Sequence, residues 1–284
     1  MSSSHIGLRE NVQPPPYPIF EALRNAQVPV CGSFDSGRRL FWTLHGPLTT
    51  AISVMPDYYS PTSLEPYFQQ TPEGGIWHHI SQLPMTEPKV SSIIVHVDEF
   101  DTWEYNWLQL HIEGCNSDAR WGPLPDRYTN PDPENIERQY LLFCCGEERP
   151  RMQNHRIIVT PADASKGFIT VHDYVSTVHP WLMSRRDELV KIARECDVGP
   201  TSPADMMVDC NALENLRMSD SASWIRHKSK NLETLVRWRA NHASTPRPQF
   251  GPELPPTNVV WLDYAGSDMR WNSIRHFMML LEPN

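Results

Sequence analysis

At 284 residues the chain is long enough for one large domain or two small ones, and 39% hydrophobic content can build a core. The net charge of -9 is concentrated in one half: residues 1–150 carry 9 basic and 19 acidic side chains, whereas residues 151–284 carry 16 and 15. An acidic first half argues against a broad nucleic-acid surface there, since phosphate binding needs clustered Lys and Arg, and no run approaches the roughly 18 apolar residues that cross a bilayer.

Residues 1–33 are polar, Pro-containing and without periodicity, which predicts a flexible tail with a short helix around Ile19–Ala26. The opening residues lack the apolar core of a signal peptide. With no Asn-x-Ser/Thr sequon in the chain, an intracellular protein, cytoplasmic or nuclear, is expected. Within the tail, Pro14, Pro15, Pro16 and Tyr17 form a Pro-Pro-x-Tyr pattern that resembles the ligand motif of WW domains. Prolines preform an extended helix that such aromatic grooves accept, so a WW-type partner would bind through Pro14, Pro15 and Tyr17. A plain Pro-rich linker accounts for the same residues without a partner.

Residues 34–150 read as β-leaning and acidic. Leu64–Gln70 fits a short helix. Ser91–Asp98 is β-branched and predicts a strand, and Glu104–Ile112 alternates Leu108, Leu110 and Ile112 against Gln109 and His111, which predicts a second one. The acidic stretch Glu99–Trp103 would then be a hairpin connection. Tyr140–Cys145 and His155–Thr160 predict two more strands, and Gly122–Glu134 a long surface loop. The six cysteines, Cys31, Cys115, Cys144, Cys145, Cys196 and Cys210, contain no C-x-x-C pair. On a strand, Cys144 and Cys145 would point to opposite faces, as reduced packing residues.

Residues 151–284 read as more helical. Thr170 is placed to cap a helix and Asp173 to put a carboxylate in its first turn. Val171, Val175, Val178 and Leu182 give that helix one apolar face. Pro180 predicts a kink, or a second helix running to about Arg194. A further helix fits Ser223–Ala240, carrying Arg226, Lys228, Lys230, Arg237 and Arg239. This basic face could grip a nucleic acid, but a solvated face balancing the acidic half is the simpler account. After a Pro-rich link, residues 259–274 read as a β-hairpin expected to pair with the strand at 156–160.

The order of capped Thr170-Val-x-Asp173 helix, helical middle, and hairpin with Asp263, Gly266 and Trp271 resembles a fungal domain of unknown function, over about residues 155–276. Tyr264 and Ala265 depart from the short apolar run of that family, and Pro180 interrupts the helix. The resemblance implies a fold and no activity, so no catalytic residue comes with it.

One constellation suggests chemistry. His96-Val97-Asp98 with His155 has the His-x-Asp…His form of the facial triad that holds non-haem iron in oxygenases. Twelve His in the chain make a His-x-Asp common by chance, and that enzyme fold needs more strands around the distal His. His172 and His179 are seven apart and share a helix face, where packing roles are commoner than ligation. The sequence thus predicts an α+β protein, with short, mostly antiparallel strands packed on a few helices and a flexible Pro-rich tail. Residues 34–284 are expected to form one unit. The leading reading is a binding or adaptor protein without a cofactor; the alternative is the iron oxygenase.

Overall fold

A computed structural model describes residues 16–33, 35–56, 63–112, 118–123, 139–151, 155–196, 200, 202 and 204–228. The fold is α+β, with short and mostly antiparallel strands. The chain divides into a unit of residues 1–234 and a unit of residues 235–284. The predicted hairpin over 259–274, Lys230, Arg237 and Arg239 lie outside the described residues, as do Pro14 and Pro15.

The first segments are α1 (Phe20–Asn25), β1 (Cys31–Gly32), β2 (Leu40–Trp42), α2 (Leu48–Ala51), β3 (Ile52–Val54), β4 (Glu65–Pro66), β5 (Phe68–Thr71), β6 (Gly74–Trp77) and β7 (Thr86–Glu87). There follow β8 (Ile93–Val97), α3 (Asp98–Ile112), β9 (Arg120–Gly122), β10 (Tyr140–Cys144), β11 (Glu147–Glu148) and β12 (Ile157–Val159). The last among the described residues are α4 (Val171–Ser184), α5 (Arg186–Glu195), β13 (Met207–Asp209) and β14 (Asn215–Ser219), followed by a helix over 221–228.

Two sheets form the frame, ordered β12-β8-β14-β13 and β2-β3-β4. A bridge between Thr43 and Met207, and a bond from Leu44 N–H to the Met206 carbonyl, join β13 to β2. The seven strands therefore run in one series. Only β8 and β14 pair in parallel among the described strands, through Asn215 opposite His96 and Leu216 opposite Val97. β8 buries Ile93, Val95 and Val97 at a period of two. One core of Val, Ile, Leu and aromatic residues extends from Phe20 to Met218, so residues 34–150 share it with the chain beyond 151.

Four expectations are corrected. First, residues 16–33 are not a flexible tail. Phe20 is buried, its N–H bonds the Ser92 carbonyl, and the Pro18 carbonyl accepts from Ser91 N–H, so the chain from Pro16 on lies on the body. Second, Glu104–Ile112 is not a strand: it belongs to α3, whose first turn holds the acidic stretch expected to be a connection. Carboxylates in a first turn meet the positive end of the helix dipole. Phe100, Glu104 and Trp107 make its buried face at helical spacing, while Leu110 and Ile112 stay exposed. Third, Leu64–Gln70 contains β4 and β5 rather than a helix.

Fourth, Pro180 neither ends nor restarts a helix. α4 runs through it to Ser184, and the break falls at Arg185, before α5. The Thr170 cap is as expected: Thr170 Oγ accepts from Asp173 N–H at 3.1 Å, and an Asp173 oxygen accepts from Thr170 N–H at 2.9 Å. Val171, Tyr174, Val175, Val178 and Leu182 are wholly buried along α4. Burial of each such side chain contributes about 1.5–3 kcal/mol against leaving it exposed, which holds α4 to the core despite the missing Pro180 N–H.

Candidate functional site

The turn Gly46–Leu48 faces α4 across a concave surface with a cavity volume of about 410 Å³. Pro47, Leu48, Pro180 and Met183 make it apolar; Ser176 and His179 are its polar members. Gly46 has φ +76°, a left-handed conformation that suits glycine, and this brings its carbonyl round to α4. There His179 Nε2 donates to the Gly46 carbonyl at 3.0 Å, and Trp42 Nε1 donates to His179 Nδ1 at 3.0 Å. These two bonds fix the tautomer with the proton on Nε2. Burial lowers the His179 pKa, with the Gly46 bond opposing. His179 is therefore a neutral strut between the turn, the core Trp42 and α4.

Pro180 contributes something else to this surface. Having no N–H, it leaves the Ser176 carbonyl without its usual donor one turn ahead. The Ser176 hydroxyl is engaged, donating to the His172 carbonyl at 2.6 Å. The groove can thus hold an apolar group.

His172, on the same helix, sits in an aromatic cluster rather than in the groove. Its ring lies 4.6 Å from Trp77, and its Nδ1 is 3.3 Å from the Tyr67 hydroxyl. Burial lowers the His172 pKa and raises that of Tyr67. His78 has both nitrogens occupied: Nδ1 accepts from Ile80 N–H, and Nε2 pairs with Glu65 at 3.0 Å.

The residues proposed for iron each have other partners in the fold. His96 Nδ1 pairs with Asp101 at 2.5 Å. Asp98 turns to β14, where Arg217 Nε lies 3.3 Å away and Asn215 Nδ2 donates at 3.4 Å. The His155 ring packs tilted against Phe100, with centroids 4.6 Å apart, and its Nε2 lies 3.8 Å from Glu188. Burial, then Arg185, lowers its pKa, against Glu188 and Asp101. Asp98 begins α3 instead of ending an exposed strand.

Among the described residues, Asp118, Cys144 and Cys145 do bring potential ligand atoms within 4.8 Å of one another. Their bonding does not suit a metal. Both Asp118 oxygens accept backbone N–H groups, from Cys145 and Gly146, each at 3.0 Å. Cys144 is disulfide-bonded, contrary to its expected reduced state, and so has no thiolate to give. Cys31, Cys145, Cys196 and Cys210 are thiols.

Of the basic helix, Arg226 is exposed, but Lys228 is buried, with its ammonium donating to the Arg38 carbonyl at 3.2 Å. Its pKa is lowered by burial. Trp224 packs edge-on against Phe41 at 4.9 Å. Lys228 thus anchors this helix rather than joining a solvated basic face.

The WW-like motif is only half in view. The Tyr17 ring packs edge-on to Phe168, with centroids 5.6 Å apart, and the Lys89 ammonium sits 4.2 Å from the Phe168 centroid. Pro16 lies against Gly167, which has φ +68° and no Cβ to obstruct it.

Sequence reasoning named His179 and Pro180 but not the groove, because Gly46–Leu48 lies over 100 residues away and carries no motif. No family model matches the chain, nor does any curated protein or solved structure. No helix among the described residues is long and apolar enough to cross a membrane.

Proposed function

We propose that the chain is a binding or adaptor protein whose groove between Gly46–Leu48 and α4 receives an apolar group. The observation that carries this reading is the state of His179: the one ionisable side chain of the groove has both ring nitrogens engaged in the fold. A general base needs a nitrogen within reach of its substrate, whereas a strut needs what His179 has. The apolar lining suits a small aliphatic or aromatic body. Indole is such a probe. Titrated against the full chain, it is expected to shift the Met183 methyl resonance saturably, and Leu48→Asp to abolish the shift. No saturable shift up to the solubility of indole would refute the groove.

The oxygenase alternative is separated by metal content. Stoichiometric iron in the purified chain, lost on His96→Ala, would make it the better reading.

A second partner chemistry rests on Pro14, Pro15 and Tyr17 and their resemblance to a WW ligand. Such short-motif complexes have dissociation constants of about micromolar to hundreds of micromolar, ~5–8 kcal/mol. Because Tyr17 rests on Phe168, a peptide spanning residues 9–22 is expected to bind a WW domain more tightly than the full chain does, and Tyr17→Ala to abolish both. A peptide that binds no WW domain in a panel reduces the motif to a linker.

A further inference from the structure

The groove has a charged end. Ser176, His179, Pro180 and Met183 line it from α4 at spacings of three, one and three, so a single helix face makes that wall. Arg186 opens α5 three residues past Met183, about one helical turn further along. His45 immediately precedes the Gly46–Leu48 turn that makes the other wall. The two side chains meet, with Arg186 Nη2 donating to His45 Nδ1 at 3.4 Å. Their contact bridges the same two segments as the bond from His179 to the Gly46 carbonyl. His45 is exposed and Arg186 half-buried. Because Nδ1 accepts, the His45 ring carries its proton on Nε2, which makes it a second donor beside the guanidinium.

The charge at this end is a fixed one. A guanidinium stays protonated at any pH that leaves a protein folded, so its field acts on the groove mouth whatever else it is bonded to. None of the seven described residues that line the groove is acidic. The neighbouring Arg185 turns instead to Glu188, at 3.4 Å.

We propose that the groove takes small molecules that join an apolar body to a carboxylate, with Arg186 and His45 holding the carboxylate at the Met183 end. This rests on the groove receiving an apolar group, and adds the head group to it. One guanidinium matches one negative charge spread over two oxygens in a plane, whereas a phosphate monoester brings nearly two charges at neutral pH. The apolar wall supplies burial for the body, and the cationic end sets which way round it lies.

The test titrates three probes into the full chain and follows the Met183 methyl resonance: indole, indole-3-propionate and indole-3-propionamide. The last two have the same length and differ in charge. The carboxylate is expected to bind about tenfold more tightly than the amide, as one charge-assisted contact gives. Arg186→Gln should erase that difference and leave indole binding as in the wild type, with an unchanged far-UV spectrum as the check on folding. If indole binds but carboxylate and amide bind the wild type equally, the head-group assignment is overturned and the apolar groove stands, a result that needs no variant. If the carboxylate keeps its advantage in Arg186→Gln, the assignment to Arg186 is likewise overturned. If none of the three gives a saturable shift, the groove itself fails and the assignment falls with it.

Discussion

α3 and α4 are helices of 15 and 14 residues, each entered from extended chain and each with an acidic first turn, yet they are built to different rules. α4 has five wholly buried residues on one face and a reciprocal cap. Asp173 in its first turn accepts from Thr170 N–H and Thr170 Oγ with one oxygen and from Ala162 N–H with the other. α3 has only Phe100, Glu104 and Trp107 buried. Its Glu99 accepts from Met218 N–H at 2.7 Å with one oxygen and leaves the other buried without a partner. α4 is held by apolar area, whereas α3 is held by a few polar contacts that must each be in place. Its failures should therefore be electrostatic.

The largest expected effect follows from that difference. Glu104 is buried on α3 and accepts from Arg149 Nε at 2.8 Å, with Arg149 itself largely buried and lying over the Tyr140 ring. Glu104→Ala leaves the guanidinium inside without its carboxylate, a change that typically costs about 3–5 kcal/mol. Urea unfolding of the variant measures it. A loss under about 1 kcal/mol would mean that the pair is solvated as a surface pair is, and the contrast between the helices would disappear.

Next comes pH. Burial pushes the Glu99 carboxyl up to about 8 from its usual value of 4.5, against the Met218 bond that favours ionisation. The folded state thus holds the proton more tightly than the unfolded chain. Its stabilising contribution is complete below pH 4.5 and is lost as pH rises to about 8. Glu99→Gln keeps an acceptor for Met218 N–H and cannot ionise. Stability followed from pH 5 to pH 9 should fall more steeply in the wild type than in the variant. Parallel profiles would show that Glu99 ionises freely. The capped helix supplies the control, at about 1 kcal/mol: Thr170→Ala removes the acceptor for Asp173 N–H and should cost ~0.5–2 kcal/mol, read in the same unfolding experiment.

These contrasts explain what could be read from the sequence. The α4 cap and face were legible because every relevant residue lies within a few positions of the next, and the β8 strand because its β-branched run alternates burial over five residues. α3 was not, since Leu108, Leu110 and Ile112 alternate like a strand while the residues that decide the matter, Phe100 and Trp107, are identified only by what they pack against. Tertiary contacts at long separation were equally hidden: Trp42 meets His179 across 137 residues, and Arg149 meets Glu104 across 45. Pro180 left two outcomes open, a kink or a new helix; no helix begins there, because α4 is held along one buried face and one absent backbone bond does not end it. The groove depends on the same contacts and was invisible for the same reason.

The smallest effect is the sharpest check on α3. Leu110 is 49% exposed on the helix, whereas a strand with Leu108, Leu110 and Ile112 on one buried face would place it in the core. Leu110→Gln swaps one good helix former for another at a solvent-facing site, so stability should change by no more than about 0.5 kcal/mol. Buried in a strand, the same leucine would cost about 2–5 kcal/mol on truncation, with a polar group to bury besides. Leu182 on α4, wholly buried, is the matched comparison: Leu182→Gln should show that large loss. Two leucines given the same substitution thus report the two helices separately. If both variants lose several kcal/mol, Leu110 lies in a core and α3 does not present that face to solvent.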